Sequence, residues 1–243
     1  MLKKISLYFH TLKHLRLIQV FYRLLYLFYN PIVQDTSSFE INQNRNNWVE
    51  PILKEKSIFP GNEFNFLNKR KEINFNEDSD EIHFDALWTY NLHYFDGILA
   101  KESNFEQDSG LIHSWILSNR TQKTIGWDPY PISLRIVNWI KWMIRNNVED
   151  HIISQSLFKQ GLRLERTIEY DLSANHLLAN AKALIFLGLY FSDNQSKQWL
   201  NKGHSIYSKE ITEQVLKDGG HYERSPMYHS IILEDLLDII NAS

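Results

Sequence analysis

Cysteine is absent from all 243 residues, which excludes disulfides and thiolate metal sites. Glycine and proline are sparse, at nine and six, and such thin punctuation suits long helices better than a sandwich of short strands. An excess of positive charge is missing too. Lys and Arg number 26 against 29 Asp and Glu, for a net charge of -3, which argues against a nucleic-acid surface. The ten histidines show no HExxH pattern and no paired ligand spacing; His221 and His229 are eight apart across a turn. A Gly-rich phosphate loop and a GxSxG elbow are also lacking. Glu223 has no obvious carboxylate partner of the kind glycosidases use. Neither a metal nor a cofactor is therefore expected.

Long hydrophobic runs are missing as well. Leu15 to Tyr29 reads LRLIQVFYRLLYLFY, but Arg16, Gln19 and Arg23 interrupt it. What remains is far below the roughly 18 to 20 apolar residues of a membrane span. A secretory signal needs a clean apolar stretch, and here His10, Lys13, His14 and Arg16 stand where it should be. Residues 1–30 are expected to form an amphipathic helix docked on the rest of the protein, with peripheral membrane contact as the alternative. The compartment expected is the cytoplasm or the membrane surface; nothing in the sequence selects against the periplasm.

Aromatic residues are abundant, with 7 Trp, 12 Tyr and 14 Phe. They serve either as bulky core or, for some Trp and Tyr, as platforms on which sugars stack. Residues 31–84 are polar and irregular, a wrapping segment with short extended pieces such as Ile82 to Phe84. From Asp85 the text turns helical. Trp88 to Leu99 is followed by the apolar face of Leu111, Ile112, Trp115 and Ile116. Asp128-Pro129-Tyr130-Pro131 is a stop and restart. Ile132, Ile136, Trp139, Ile140 and Met143 then recur at helical spacing, and Asn146-Asn147 ends them. Further helices are predicted over 151–168, 174–191 and 195–217, the last closed by Gly219-Gly220, and one more from Pro226 to Ile240. The fold expected is all-α, with an N-terminal part over 1–84 and a helical part over 85–243. An up-and-down bundle and an α/α toroid of helical hairpins both fit.

Three places carry polar and aromatic residues that a plain helix face does not need. They are Leu87 to Asp96, Gly126 to Arg135, and the pair formed by Ser173-Ala174-Asn175-His176-Leu177-Leu178 with Gly219 to His229. Each also has a bland reading. Asn175 sits where a helix cap belongs. A lone His176 is more often structural than catalytic, and Tyr228 could pack by its ring at an ordinary loop-to-helix junction.

Taken in order, Trp88-Thr89-Tyr90-Asn91-Leu92-His93-Tyr94-Phe95, Trp127 through Ile136, Ser173 through Leu177 and Asp218-Gly219-Gly220 through His229 resemble the N-terminal toroid of the heparinase II/III-like polysaccharide lyases. The likeness runs from about residue 85 to 240. It implies an α/α toroid and β-elimination on uronate-containing polysaccharide. It also implies that Asn175 holds the substrate carboxylate, that His176 assists, and that Tyr228 transfers the proton. Tyr90, His93, Trp127 and Arg135 would line the sugar cleft, and Glu223 would orient its loop. The partner implied is an acidic polysaccharide or oligosaccharide, not nucleic acid. The family continues into further toroid helices and a β-sandwich that supplies another histidine. This sequence stops at Ser243, so a truncated lyase-like chain of weak activity is expected. A non-catalytic glycan-binding or surface-polysaccharide assembly protein is the competing expectation, and an inert helical scaffold a third.

Overall fold

The computed structural model describes residues 15–36, 38–43, 48, 50–75 and 85–242. Among these, the chain is mostly helical, with one small sheet. Helix α1 (Leu17–Tyr26) comes first, followed by strands β1 (Ile58–Phe59), β2 (Glu63–Phe66) and β3 (Lys69–Glu72). Helices α2 (Ala86–Tyr94), α3 (Phe105–Ser118), α4 (Pro129–Arg145), α5 (His151–Arg166), α6 (Ala174–Tyr190), α7 (Asn194–Gln214) and α8 (Pro226–Ala242) complete it.

Helices α4, α6 and α8 lie side by side and run the same way. Asn180 Nδ2 of α6 donates to Ser133 Oγ of α4, and ten residues further along each helix the Tyr190 hydroxyl reaches Met143 Sδ. On α8, Asp235 and Asp238 accept from Lys182 Nζ, and Asp238 also accepts from Lys141 Nζ. The register along α4 and α6 is constant, and α8 places Ile231 and Asp235 by Ala179 and Lys182 and Ala242 by Phe186, so all three helices are parallel and their first turns meet at one end. Helix α7 returns antiparallel to α6. Its Gly203 lies against Ala181 and Ile185, and Gly188 lies against Leu200, so closely that a Cβ on either glycine would come within 2.8 Å of backbone or side-chain atoms. Parallel inner helices joined by returning outer ones give a toroid-like arrangement.

The core is one continuous cluster. Trp88, Trp115, Trp139, Trp142 and Trp199 are wholly buried in it. Ile58, Phe64, Ile73 and Phe75 from the wrapping segment join the same cluster. That segment departs from expectation, because residues 58–72 form a three-stranded antiparallel meander rather than irregular chain. Tight turns make it possible. Gly61 and Asn62 join the first pair of strands and Leu67 and Asn68 the second, all four with positive φ. The expected extended piece Ile82 to Phe84 lies outside the described residues, as does residue 1–14 of the N-terminal helix.

Two helix boundaries also move. The helix predicted over 88–99 stops at Tyr94. Phe95 adopts a left-handed conformation with φ 63°, and a 3-10 turn over Asp96–Leu99 brings Gly97 onto Ser57 and Ile58. The helix predicted to reach residue 217 ends at Gln214, where Val215 pairs with His221 across a small hairpin whose tip holds Gly219 at φ 85°. Asn147, by contrast, closes α4 in the left-handed conformation its sequence position suggests.

Candidate active site

The shared end of α4, α6 and α8 assembles the site. Helices α2, α3, α5 and α7 start with side-chain caps from Asp85, Asn104, Asp150 and Asp193. Helices α4 and α6 do not. Asp128 stands at the α4 cap position, but its carboxylate accepts the Tyr90 hydroxyl at 2.7 Å. Burial pushes the Asp128 carboxyl up from its ordinary range, and burial likewise raises the Tyr90 phenol. At the start of α6, Ser173 and Ala174 both have positive φ, at 63° and 54°. Two successive non-glycine residues in that region are strained, and such strain concentrates at functional sites. The strained pair delivers Asn175 and His176 directly after it.

His176 is half-buried and held on two sides. Its Nδ1 faces Glu169 Oε1 at 3.0 Å, and its ring lies on Tyr130 with centroids 4.3 Å apart. A carboxylate only accepts, so the proton of that bond is on Nδ1. Glu169 is itself fixed, since its Oε2 accepts from Asn180 Nδ2 at 2.9 Å and its backbone N–H donates to Asn180 Oδ1 at 2.8 Å. Asn175 shares a side-chain hydrogen bond with the Tyr130 hydroxyl, and burial pushes that phenol up to about 12. Asn175 is thus no helix cap; its amide belongs to the site end of the bundle.

Tyr228 occupies the first turn of α8. It shares a face with Ile231, Asp235 and Asp238, and the register fixed by Asp235 and Lys182 sets it level with Asn175 on the neighbouring helix. His221 is buried behind it, with ring centroids 6.0 Å apart and Nε2 3.2 Å from Gln214 Oε1. Burial lowers the His221 imidazole pKa. Below these first turns a cleft of about 220 Å³ runs between α4, α6 and α8, with Asn91, Tyr94, Tyr130, Lys182 and Asp235 among its lining residues.

Three residues expected to line the sugar cleft do not. Arg135 is 0% exposed, and His93 and Trp127 are nearly as deep. Arg135 donates to His93 O, Gly126 O and Gln160 Oε1 and stacks over Trp115 at 3.8 Å. A buried guanidinium is tolerable only when so fully engaged. His93 Nδ1 accepts from Trp115 Nε1 at 2.8 Å, and burial beside Arg135 drives its pKa to about 3. Trp127 Nε1 donates to Asn119 O. These side chains brace the floor beneath the site. Glu223 stands exposed, and its loop is ordered instead by backbone bonds, such as Tyr222 N–H to Gln214 O at 2.9 Å. Of the eight residues, Tyr90, Asn175, His176 and Tyr228 keep partial access to the open end. Glu169, Tyr130, Asn180 and His221 complete the arrangement and were not nominated from sequence. Among the described residues no three His, Cys, Asp or Glu side chains gather to hold a metal ion.

The family description Heparinase II/III N-terminus matches residues 8–243, and the chain belongs to the heparinase II/III-like family through that N-terminal region. The curated relatives are heparin-sulfate lyases. That of Bacteroides thetaiotaomicron is 26% identical over 157 residues, 57% of this chain and 22% of the relative. That of Bacteroides stercoris is 38% identical over 61 residues, 25% of this chain and 9% of the relative. That of Pedobacter heparinus is 35% identical over 69 residues, 28% of this chain and 10% of the relative. The chain thus spans less than a quarter of the length of these relatives. No solved structure matches it.

Proposed function

We propose that this chain provides the helical part of an active site that cleaves acidic polysaccharide by β-elimination. The observation that carries the reading is the level at which Asn175, His176 and Tyr228 stand, in the first turns of adjacent parallel helices beside an open cleft. In such a reaction the C5 proton leaves, the C4–O4 bond breaks and a C4=C5 double bond forms. Charge builds on the uronate carboxylate as C5 is deprotonated, and the Asn175 amide is the donor suited to it, with His176 beside it. Glu169 and Tyr130 position His176. Tyr228, as phenolate, takes the C5 proton and then, as phenol, gives that proton to O4 as the C4–O4 bond breaks, an exchange open to departing groups that share a face. The names of the relatives make heparan-type chains the first substrates to try.

The test has two parts. Titration of the chain with uronate oligosaccharides should show binding that Asn175→Ala weakens by about tenfold, the loss of one charge-assisted hydrogen bond. Release of unsaturated uronate, followed as ultraviolet absorbance, should be slow and should disappear in Tyr228→Phe, which keeps the ring and loses the proton. Binding that ignores Asn175→Ala, or turnover that survives Tyr228→Phe, would overturn the assignment.

A further inference from the structure

Helix α1 is docked back to front. Its contacts with the body run along one side. Gln19 reaches Asp171 O, the Tyr22 ring lies 4.7 Å from Tyr170, the Tyr26 hydroxyl donates to Ile168 O at 2.7 Å, and Arg16 pairs with Glu213. Positions 19, 22 and 26 share one helical face. The opposite face carries Leu17, Phe21, Leu24 and Phe28, and all are exposed, Phe21 to 60% and Phe28 to 90%. No residue of α1 is buried. A helix joining a protein core turns its apolar stripe inward; this one turns it to the outside and holds the body with tyrosines. A contiguous apolar face of that kind marks an interaction surface.

Charge decides what covers it. Residues 1–34 contain Lys3, Lys4, Lys13, Arg16 and Arg23 and no acidic residue, in a chain whose net charge is -3. A second copy meeting this face about a two-fold axis would set one basic helix against another. An anionic lipid surface is complementary to it. There the apolar stripe enters the boundary between headgroups and acyl chains, while the Arg23 stem reaches back to the phosphates. Tyr29, exposed just beyond the end of the helix, then lies where amphipathic rings favour the interface. Among the described residues no helix is long and apolar enough to cross a membrane, so the attachment is in-plane. We infer that α1 moors the chain peripherally to anionic bilayers through Leu17, Phe21, Leu24 and Phe28.

Flotation of the purified 243-residue chain with vesicles tests this, using phosphatidylcholine alone and phosphatidylcholine with about a third phosphatidylglycerol. The chain should float with the anionic vesicles and bind the neutral ones at least tenfold more weakly. Phe21→Ser with Leu24→Ser should lower anionic binding at least tenfold with the far-ultraviolet spectrum unchanged. Arg23→Gln should lower it about fivefold, the effect of one basic residue near a charged membrane. Ile152→Ser, at an exposed isoleucine on α5, should change nothing. Failure to float with anionic vesicles overturns the inference, as does equal binding to both vesicle types. So does flotation that survives the Phe21/Leu24 change, which would place attachment elsewhere. A lipid-free dimer that the same change dissociates would assign the face to a second copy instead.

Discussion

Replacing Lys182 by Met should remove a large part of the chain's stability, and the amount follows from the partners it leaves. Lys182 bridges Asp235 and Asp238, with Lys141 as the second cation on Asp238. All four side chains are almost completely out of water. Two ammonium groups hold the Asp238 carboxyl below its ordinary range, and two carboxylates hold the Lys182 ammonium above its own. Asp235, buried and served by one lysine, is pushed up by that burial. Met fills the volume of the lysine stem, so little packing is lost. Asp238 keeps Lys141, whereas Asp235 loses its cation. An orphaned buried carboxylate escapes by taking a proton, which limits the penalty. Breaking a buried pair from one side costs about 3 to 5 kcal/mol at neutral pH. The Asp235 carboxyl, already raised, rises further without its cation, so the penalty is present where the acid must be ionised and shrinks as pH falls. At pH 5 the gap to wild type should be clearly smaller than at pH 7. Urea unfolding at the two pH values, with equal slopes required of both proteins, measures it. A gap under about 1 kcal/mol at pH 7, or one that does not narrow with acid, would refute the reasoning.

Three further outcomes are expected. His93, neutral and with its pKa driven to about 3, binds its proton more readily when unfolded, so stability should fall as pH drops below about 6.5, by about 2 kcal/mol at pH 5; His93→Gln should flatten that slope in the same unfolding series. Gly126→Ala sets a Cβ 2.7 Å from His93 Nδ1, which Trp115 holds in place, and should cost about 1 to 3 kcal/mol in thermal or urea unfolding; a neutral effect would mean the floor is slack. Ser173→Gly should stabilise the chain by about 1 kcal/mol by relieving its backbone, while leaving oligosaccharide binding no tighter; a loss of stability would show that Ser173 is not strained.

The helices from Asp85 onward were legible because their apolar residues recur at three- and four-residue spacing over long stretches. The places of Asn175, His176 and Tyr228 at helix starts were legible from breaks in the pattern, whereas their roles rested on the family resemblance alone. The meander was not. Strand β1 has two residues, β3 reads Lys-Arg-Lys-Glu, and the turn between β2 and β3 puts Leu67 at positive φ, where residue preferences argue against it. Glu169 was hidden for a different reason. In the stretch Glu165-Arg166-Thr167-Ile168-Glu169-Tyr170-Asp171 it looks like one more solvated acid, and only the fold shows it buried between His176 and Asn180. Lys141, Lys182, Asp235 and Asp238 read as the polar faces of their helices, yet neutralise one another inside. Arg135 was noticed for the right motif and given the wrong place, because local sequence records that a residue is unusual and not which way its side chain faces.

The lysine–aspartate cluster has a mechanical consequence. It is the tightest link between α8 and its neighbours, and it lies seven residues along the helix from Tyr228. At 1.5 Å per residue the lever between pivot and hydroxyl-bearing turn is about 10 Å. Beyond Asp235 α8 carries exposed Leu237 and Ile240 along its outer side, so a body leaning on them would swing the far arm. A tilt of about 5° displaces Tyr228 by roughly 0.9 Å relative to Asn175, and misplacement of that size can change a rate by about two orders of magnitude. Under the proposed reaction, pressure on the outside of one helix would thereby be read out as proton-transfer geometry at its opposite end, with the charge cluster as the fulcrum.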